Sequence, residues 1–133
     1  MAIENSRRLL TYDDYAALPD DGKKYELIHG ELILCPSASK RHQGIGARLI
    51  AELEYYRKAH PDLIESIIYD FDVNPAPHET VRPDLLVFFQ SRKHISTNRK
   101  ATEVPDIVGE ILSRDYPYDL RENTGRSIRI ARE

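Results

Sequence analysis

Two side chains stand out because their chemistry does not match their surroundings. Asp84 opens the apolar run "DLLVFF", and Glu110 lies inside "IVGEIL", each where a buried strand is expected. Glu26 falls in "YELIHGEL", and His42 opens the stretch "HQGIGARLIAEL". An ionised carboxylate among apolar strand residues is costly unless it is paired, hydrogen-bonded or bound to a cation, so Asp84 and Glu110 require partners. If their strands are neighbours, both acids meet at one end of a sheet. Two hard oxygen donors suit Mg2+, which keeps several of its waters. An ion held there can activate water and stabilise charge on a phosphoryl oxygen.

Each of these residues also has a plainer reading. Glu110 could reach solvent from a strand end, and Asp84 could cap a turn after Pro83. Glu26 could face solvent on a hairpin. His42 precedes Ile45 and Leu49 by three and seven positions, which is the spacing of a half-buried histidine on a helix face. Cys35 reads as a small core residue, because no base or motif accompanies it.

The elements that must position these groups can be read from pattern. "TYDDYAALPD" is a short helix capped by Thr11 and stopped by Pro19. Lys24 to Cys35 reads as a β-hairpin turning at His29-Gly30. A long amphipathic helix runs from a Ser37 or Ser39 cap, with Ile45, Leu49, Leu53 and Tyr56 on one face, to His60 before Pro61. "LIESIIYDFDVNP" and "TVRPDLLVFF" read as two strands joined through "NPAPHE", the second of them central. "QSRKHISTNRKATEV" reads as a loop with at most one helical turn, and "PDIVGEILS" as the next strand. Alternation in that strand puts Asp106, Val108, Glu110 and Leu112 on one face. "PYDLRENTGRSIRIARE" reads as a helix weakened by Gly125. The expected architecture is a mixed α/β domain with one central sheet.

Bulk properties narrow the function classes. A chain of 133 residues, 41% hydrophobic and 31% charged, has the make-up of one soluble globular domain. The formal net charge of -3 provides no strong field toward nucleic acid or membrane. Basic clusters at Lys40-Arg41, Arg92-Lys93-His94 and Arg99-Lys100 are solvated loops or, beside the acids, contacts to a phosphate backbone. The single cysteine excludes an intrachain disulfide and a Cys-based zinc site, and points to the cytoplasm. "MAIENSRRLL" lacks the build of a secretory signal, and no apolar run approaches the roughly 18 residues of a membrane span.

"RPD" at 82–84 and "GEIL" at 109–112 resemble the motif of the PD-(D/E)xK nuclease superfamily, with Leu112 where lysine usually stands. More closely, the chain resembles the Uma family of restriction-endonuclease-like proteins through "TYDDYAALPDDGKKYELIHGEL", His42, "VRPDLLVF" and "VPDIVGEILS". The resemblance extends over Thr11 to Asn123. The resemblance implies an α+β, restriction-endonuclease-like fold, in which a mixed central sheet is flanked by helices and preceded by the hairpin. It implies a Mg2+-dependent (or Mn2+-dependent) endonuclease in which metal-activated water attacks a DNA phosphodiester in line with the leaving 3′ oxygen. Asp84 and Glu110 match the metal-binding catalytic acids, and Glu26 an auxiliary catalytic acid. His42 matches a substrate-contacting histidine. Asn123 or Arg121 would replace the missing lysine, with Asn123 the substrate-binding candidate. DNA is the implied partner, and a homodimer is left open.

The carboxyl terminus departs from the family pattern. After about Thr124 the chain reads "TGRSIRIARE", where the family continues through a helix and a strand with Glu-Tyr-Trp, and tryptophan is absent. The single domain 1–133 is therefore expected to be incomplete at that end, with an unpaired sheet edge. Leu112 and this tail favour the alternative of an inactive remnant or interaction module that keeps the nuclease fold. A carboxylate-pair glycosidase has only the acids themselves in its favour.

Overall fold

Residues 8–112 and 127–130 are described by the computed structural model. The chain opens with helix α1 (Tyr12–Ala16), whose first turn is tied by the Asp14 carboxylate to the amide of Thr11 at 2.8 Å. The hairpin follows as β1 (Lys24–Ile28) and β2 (Glu31–Cys35). His29 and Gly30 both have positive φ, 50° and 74°, the geometry of a two-residue hairpin turn that matches strand twist. Glycine is required at position 30 for a second reason: a Cβ there would lie 2.7 Å from the Cβ of Leu9.

Helix α2 (Lys40–Ala59) begins at Ser39, whose Oγ accepts from the amide of His42 at 3.0 Å, and it ends at His60. None of its residues is fully buried. Tyr56, expected on the packed face of this helix, is exposed and stacks on the His60 ring instead. The two long strands expected after α2 are each broken in two. The first gives β3 (Ile64–Ile68) and β4 (Asp72–Ala76), separated at Asp70, which adopts a φ of 49°. The second gives β5 (Glu79–Val81) and β6 (Leu85–Phe89), separated at Arg82-Pro83, because proline offers no N–H to a ladder. A 3-10 helix (Gln90–Ile95), the two-residue β7 (Lys100–Ala101) and β8 (Ile107–Ile111) complete this part.

The strands form two sheets where one was expected, ordered β2-β1-β5-β4-β7 and β3-β6-β8-β9. The ninth strand, β9 (Ser127–Ile130), runs parallel to β8, so this part of the tail is strand rather than the expected helix and covers an edge of β8. The expected helix otherwise lies outside the described residues. Strand β6 shows why its sequence is apolar at every position. Leu86 and Phe88 pack with Val73, Ile95 and Ala101, while Leu85 and Val87 pack with Ile64 and Ile67 and, around them, Ile50 and Leu53 of α2. A strand covered on both faces has no polar alternation to display. The molecule is thus an α+β fold in which β6 and its neighbours lie between α2 and the five-stranded sheet. No helix among the described residues is long and apolar enough to cross a membrane.

Candidate active site

The site is built where β6 starts and β8 ends. Leu85 pairs with Gly109 and Leu86 with Val108 in antiparallel register, so one further step sets Asp84 opposite Glu110. Cross-strand partners have Cβ atoms about 5 Å apart and share a face of the sheet. The Asp84 carboxylate bends back to accept from the amide of Ile111 at 2.8 Å. The same oxygen, Oδ2, lies 3.3 Å from Nε2 of His42, and both side chains are mostly covered, at 15% and 16% exposure. The Ser39 cap holds the first turn of α2, so the imidazole is delivered from a helix terminus onto the strand-borne acid. The exposed pair Lys40-Arg41 precedes it.

Glu26 is not the solvent-facing hairpin residue of the plainer reading. It is 3% exposed, and its Oε1 accepts from the amide of Arg82 at 3.0 Å, two residues before Asp84. The turn carrying Asp84 is therefore held from β1. Asp106, on the face expected to hold Glu110, serves a different purpose. Its two oxygens accept from the Phe89 amide at 2.8 Å and from Arg92 at 3.1 Å, which also ties down part of one basic cluster. Leu112 is half-buried, and the replacement candidates Arg121 and Asn123 lie outside the described residues.

A group that sequence reasoning did not single out lies behind this turn. The hydroxyls of Tyr12 and Tyr15 reach the two oxygens of Asp72 at 3.3 and 3.0 Å. Arg82 approaches Asp72 through Nε at 3.4 Å and Asp70 through Nη2 at 3.1 Å. Burial, then the nearby Asp72 charge, raises the Tyr15 phenol well above the ordinary tyrosine range. Burial also raises the carboxyl of Asp72, against the opposing pull of Tyr15 and Arg82. The available signal was the three-residue spacing of Tyr12 and Tyr15 on one short helix face.

Among the described residues, no three of His, Cys, Asp and Glu gather closely enough to enclose an ion by themselves. The donor set is a pair of carboxylates on adjacent strands. Two hard oxygens fit an Mg2+-type ion that retains much of its hydration, and they do not fit a fully protein-lined cage. A hollow of about 390 Å3 lies along β3 and residues 96–98 and is lined by neither acid.

This combination, an α+β fold with an acid opening one central strand and a second acid on its neighbour, defines a restriction-endonuclease-like protein. The family described as "Putative restriction endonuclease", Uma2, matches residues 12–127, and the chain belongs to that family. Among solved structures, the chain is similar to a crystal structure of a putative nuclease belonging to DUF820 from Anabaena variabilis. The TM-score is 0.64 at 23% identity, over 80% of this chain and 60% of that one. At that identity the likeness concerns the fold. A search of curated proteins finds no match.

Proposed function

We propose that the protein is a metal-dependent endonuclease that hydrolyses DNA phosphodiester bonds, with Asp84 and Glu110 as the groups that hold Mg2+ or Mn2+. The observation that carries this reading is the pairing of Leu85 with Gly109, one residue from Asp84 and Glu110, together with the hydrogen bond from the Ile111 amide to Asp84. When bound, the ion supplies an activated water and neutralises charge on the phosphoryl oxygens. The protein's own contribution is geometric. The Ile111 amide orients one oxygen of Asp84, and His42 flanks that oxygen from α2. His42, and the exposed Lys40-Arg41 in the same helix turn, would contact a phosphate of the substrate strand. Asn123 remains a candidate substrate contact by family resemblance.

Supercoiled plasmid incubated with the protein and Mg2+ or Mn2+ is expected to be nicked, and EDTA is expected to abolish the cutting. Asp84→Ala is expected to lose both cleavage and Mn2+ affinity in titration calorimetry. Unchanged metal affinity in that variant overturns the reading. A second reading has one observation in its favour: Leu112 stands at the motif-lysine position. It describes a fold retained for interaction without cleavage, and it predicts that no chelator-sensitive cutting occurs in any metal.

A further inference from the structure

Asp84 has only two side-chain torsions, so where its carboxylate lies is decided by the backbone of Arg82-Pro83-Asp84. Pro83 fixes one torsion of that segment through its ring. Arg82 is held at both ends. Its amide donates to the buried Glu26, its Nη2 donates to Asp70, and its Nε lies in ion-pair range of Asp72 at 3.4 Å without a hydrogen bond. Asp72 is in turn held by Tyr12 and Tyr15 from α1. The Tyr15 hydroxyl has one proton and two acceptors, Asp72 Oδ1 at 3.0 Å and the carbonyl of Tyr25 at 3.1 Å. Tyr25 adjoins Glu26, so the contacts close a circuit from α1 through β4 and the turn to β1 and back. Asp70, whose carbonyl and carboxylate both face Arg82, keeps a left-handed φ of 49°, a conformation that costs energy for a non-glycine residue and needs surroundings to enforce it.

We propose that Tyr15, Asp72, Arg82 and Glu26 form a brace whose task is to position Asp84, and that Glu26 is a positioning residue rather than a metal ligand. What Asp84 is positioned for rests on the nuclease reading; the existence of the brace does not. None of the four touches the Asp84 carboxylate. They act through the backbone of the turn, where a displacement of about 1 Å is enough to spoil a ligand set.

Amide hydrogen exchange on the full chain tests this directly, because two reporter amides lie on either side of Asp84. The Arg82 amide reports the bond to Glu26, and the Ile111 amide reports the bond to Asp84. In Tyr15→Phe and Asp72→Asn, exchange at these two amides is expected to quicken about tenfold or more while the paired amides of β3 and β6 keep their wild-type rates. Mn2+ affinity should fall by a similar factor, and kcat should drop with KM for DNA unchanged. Acceleration spread evenly over all amides would mean a merely structural role and overturns the proposal, as does wild-type exchange at both reporters. If Asp72→Asn fails to fold, Tyr15→Phe, which removes a single oxygen, still decides it. A wild-type protein that neither binds Mn2+ nor cuts DNA would remove the nuclease reading, and the exchange pattern would still judge the brace.

Discussion

Glu26 shows how much one buried carboxylate depends on what it accepts. Its side chain is almost fully covered, and the Arg82 amide is the donor that makes this burial tolerable. Glutamine retains a carbonyl oxygen at the same reach, whereas alanine leaves that amide without its acceptor and opens space beside it. Glu26→Gln is therefore expected to stay within about 1 kcal/mol of wild type, and Glu26→Ala to lose about 1–3 kcal/mol, the cost of an unsatisfied buried donor. Urea denaturation of the two variants checks the difference. Equal losses would show that the hydrogen bond to Arg82 contributes nothing of its own.

At the scale of an element, α2 is a helix that packs on one side only and carries the candidate residue His42 at its amino end. It has no fully buried residue, so its stability relies on partial burial of Ile50 and Leu53 against β3 and β6 and on its caps. Ser39→Ala removes the oxygen that accepts from the His42 amide and is expected to cost about 1 kcal/mol in thermal or urea unfolding. The same change loosens the first turn, so the His42 contact to Asp84 should weaken more than contacts further along the helix. Comparing the crystal structure of this variant with that of the native chain would show it. A His42 ring still seated on Asp84 would mean that packing, and not the cap, places it.

For the molecule as a whole, the tyrosines behind the Asp84 turn are expected to make stability fall at alkaline pH. Tyr15 is raised chiefly by burial and secondly by Asp72, and Tyr12 by the same two causes in the same order. A group whose folded pKa lies above its unfolded value contributes stability that is complete below the unfolded value, about 10 for tyrosine, and is lost as pH rises through the folded one. Unfolding free energy is therefore expected to fall as pH rises above about 10, and to fall less steeply in Tyr15→Phe. Urea melts across that range measure both slopes, and identical slopes would show that Tyr15 is not the group responsible. Loss of this layer matters beyond stability, because it joins α1 and the five-stranded sheet to the turn that opens β6.

Local rules were enough for the hairpin, since His29-Gly30 supplies the positive φ that a tight turn needs, and for α2, whose cap and terminating proline are neighbours of its ends in sequence. The apolar run of β6 also announced a strand covered on both faces. The breaks at Asp70 and Pro83, and the division into two sheets, were not legible, because a strand ends where its partner ends as much as where its residues do. The family motif marked Asp84 and Glu110, but only the register of β6 against β8 sets them opposite each other. Burial of Glu26, its bond to Arg82, and the Tyr15–Asp72–Arg82 contacts join residues as many as 67 positions apart in the chain. Sequence thus determined the short-range elements, because those follow from nearest-neighbour chemistry, and marked the two acids as candidates. Tertiary structure alone decided which of them meet, because pairing across long loops depends on the whole packed core.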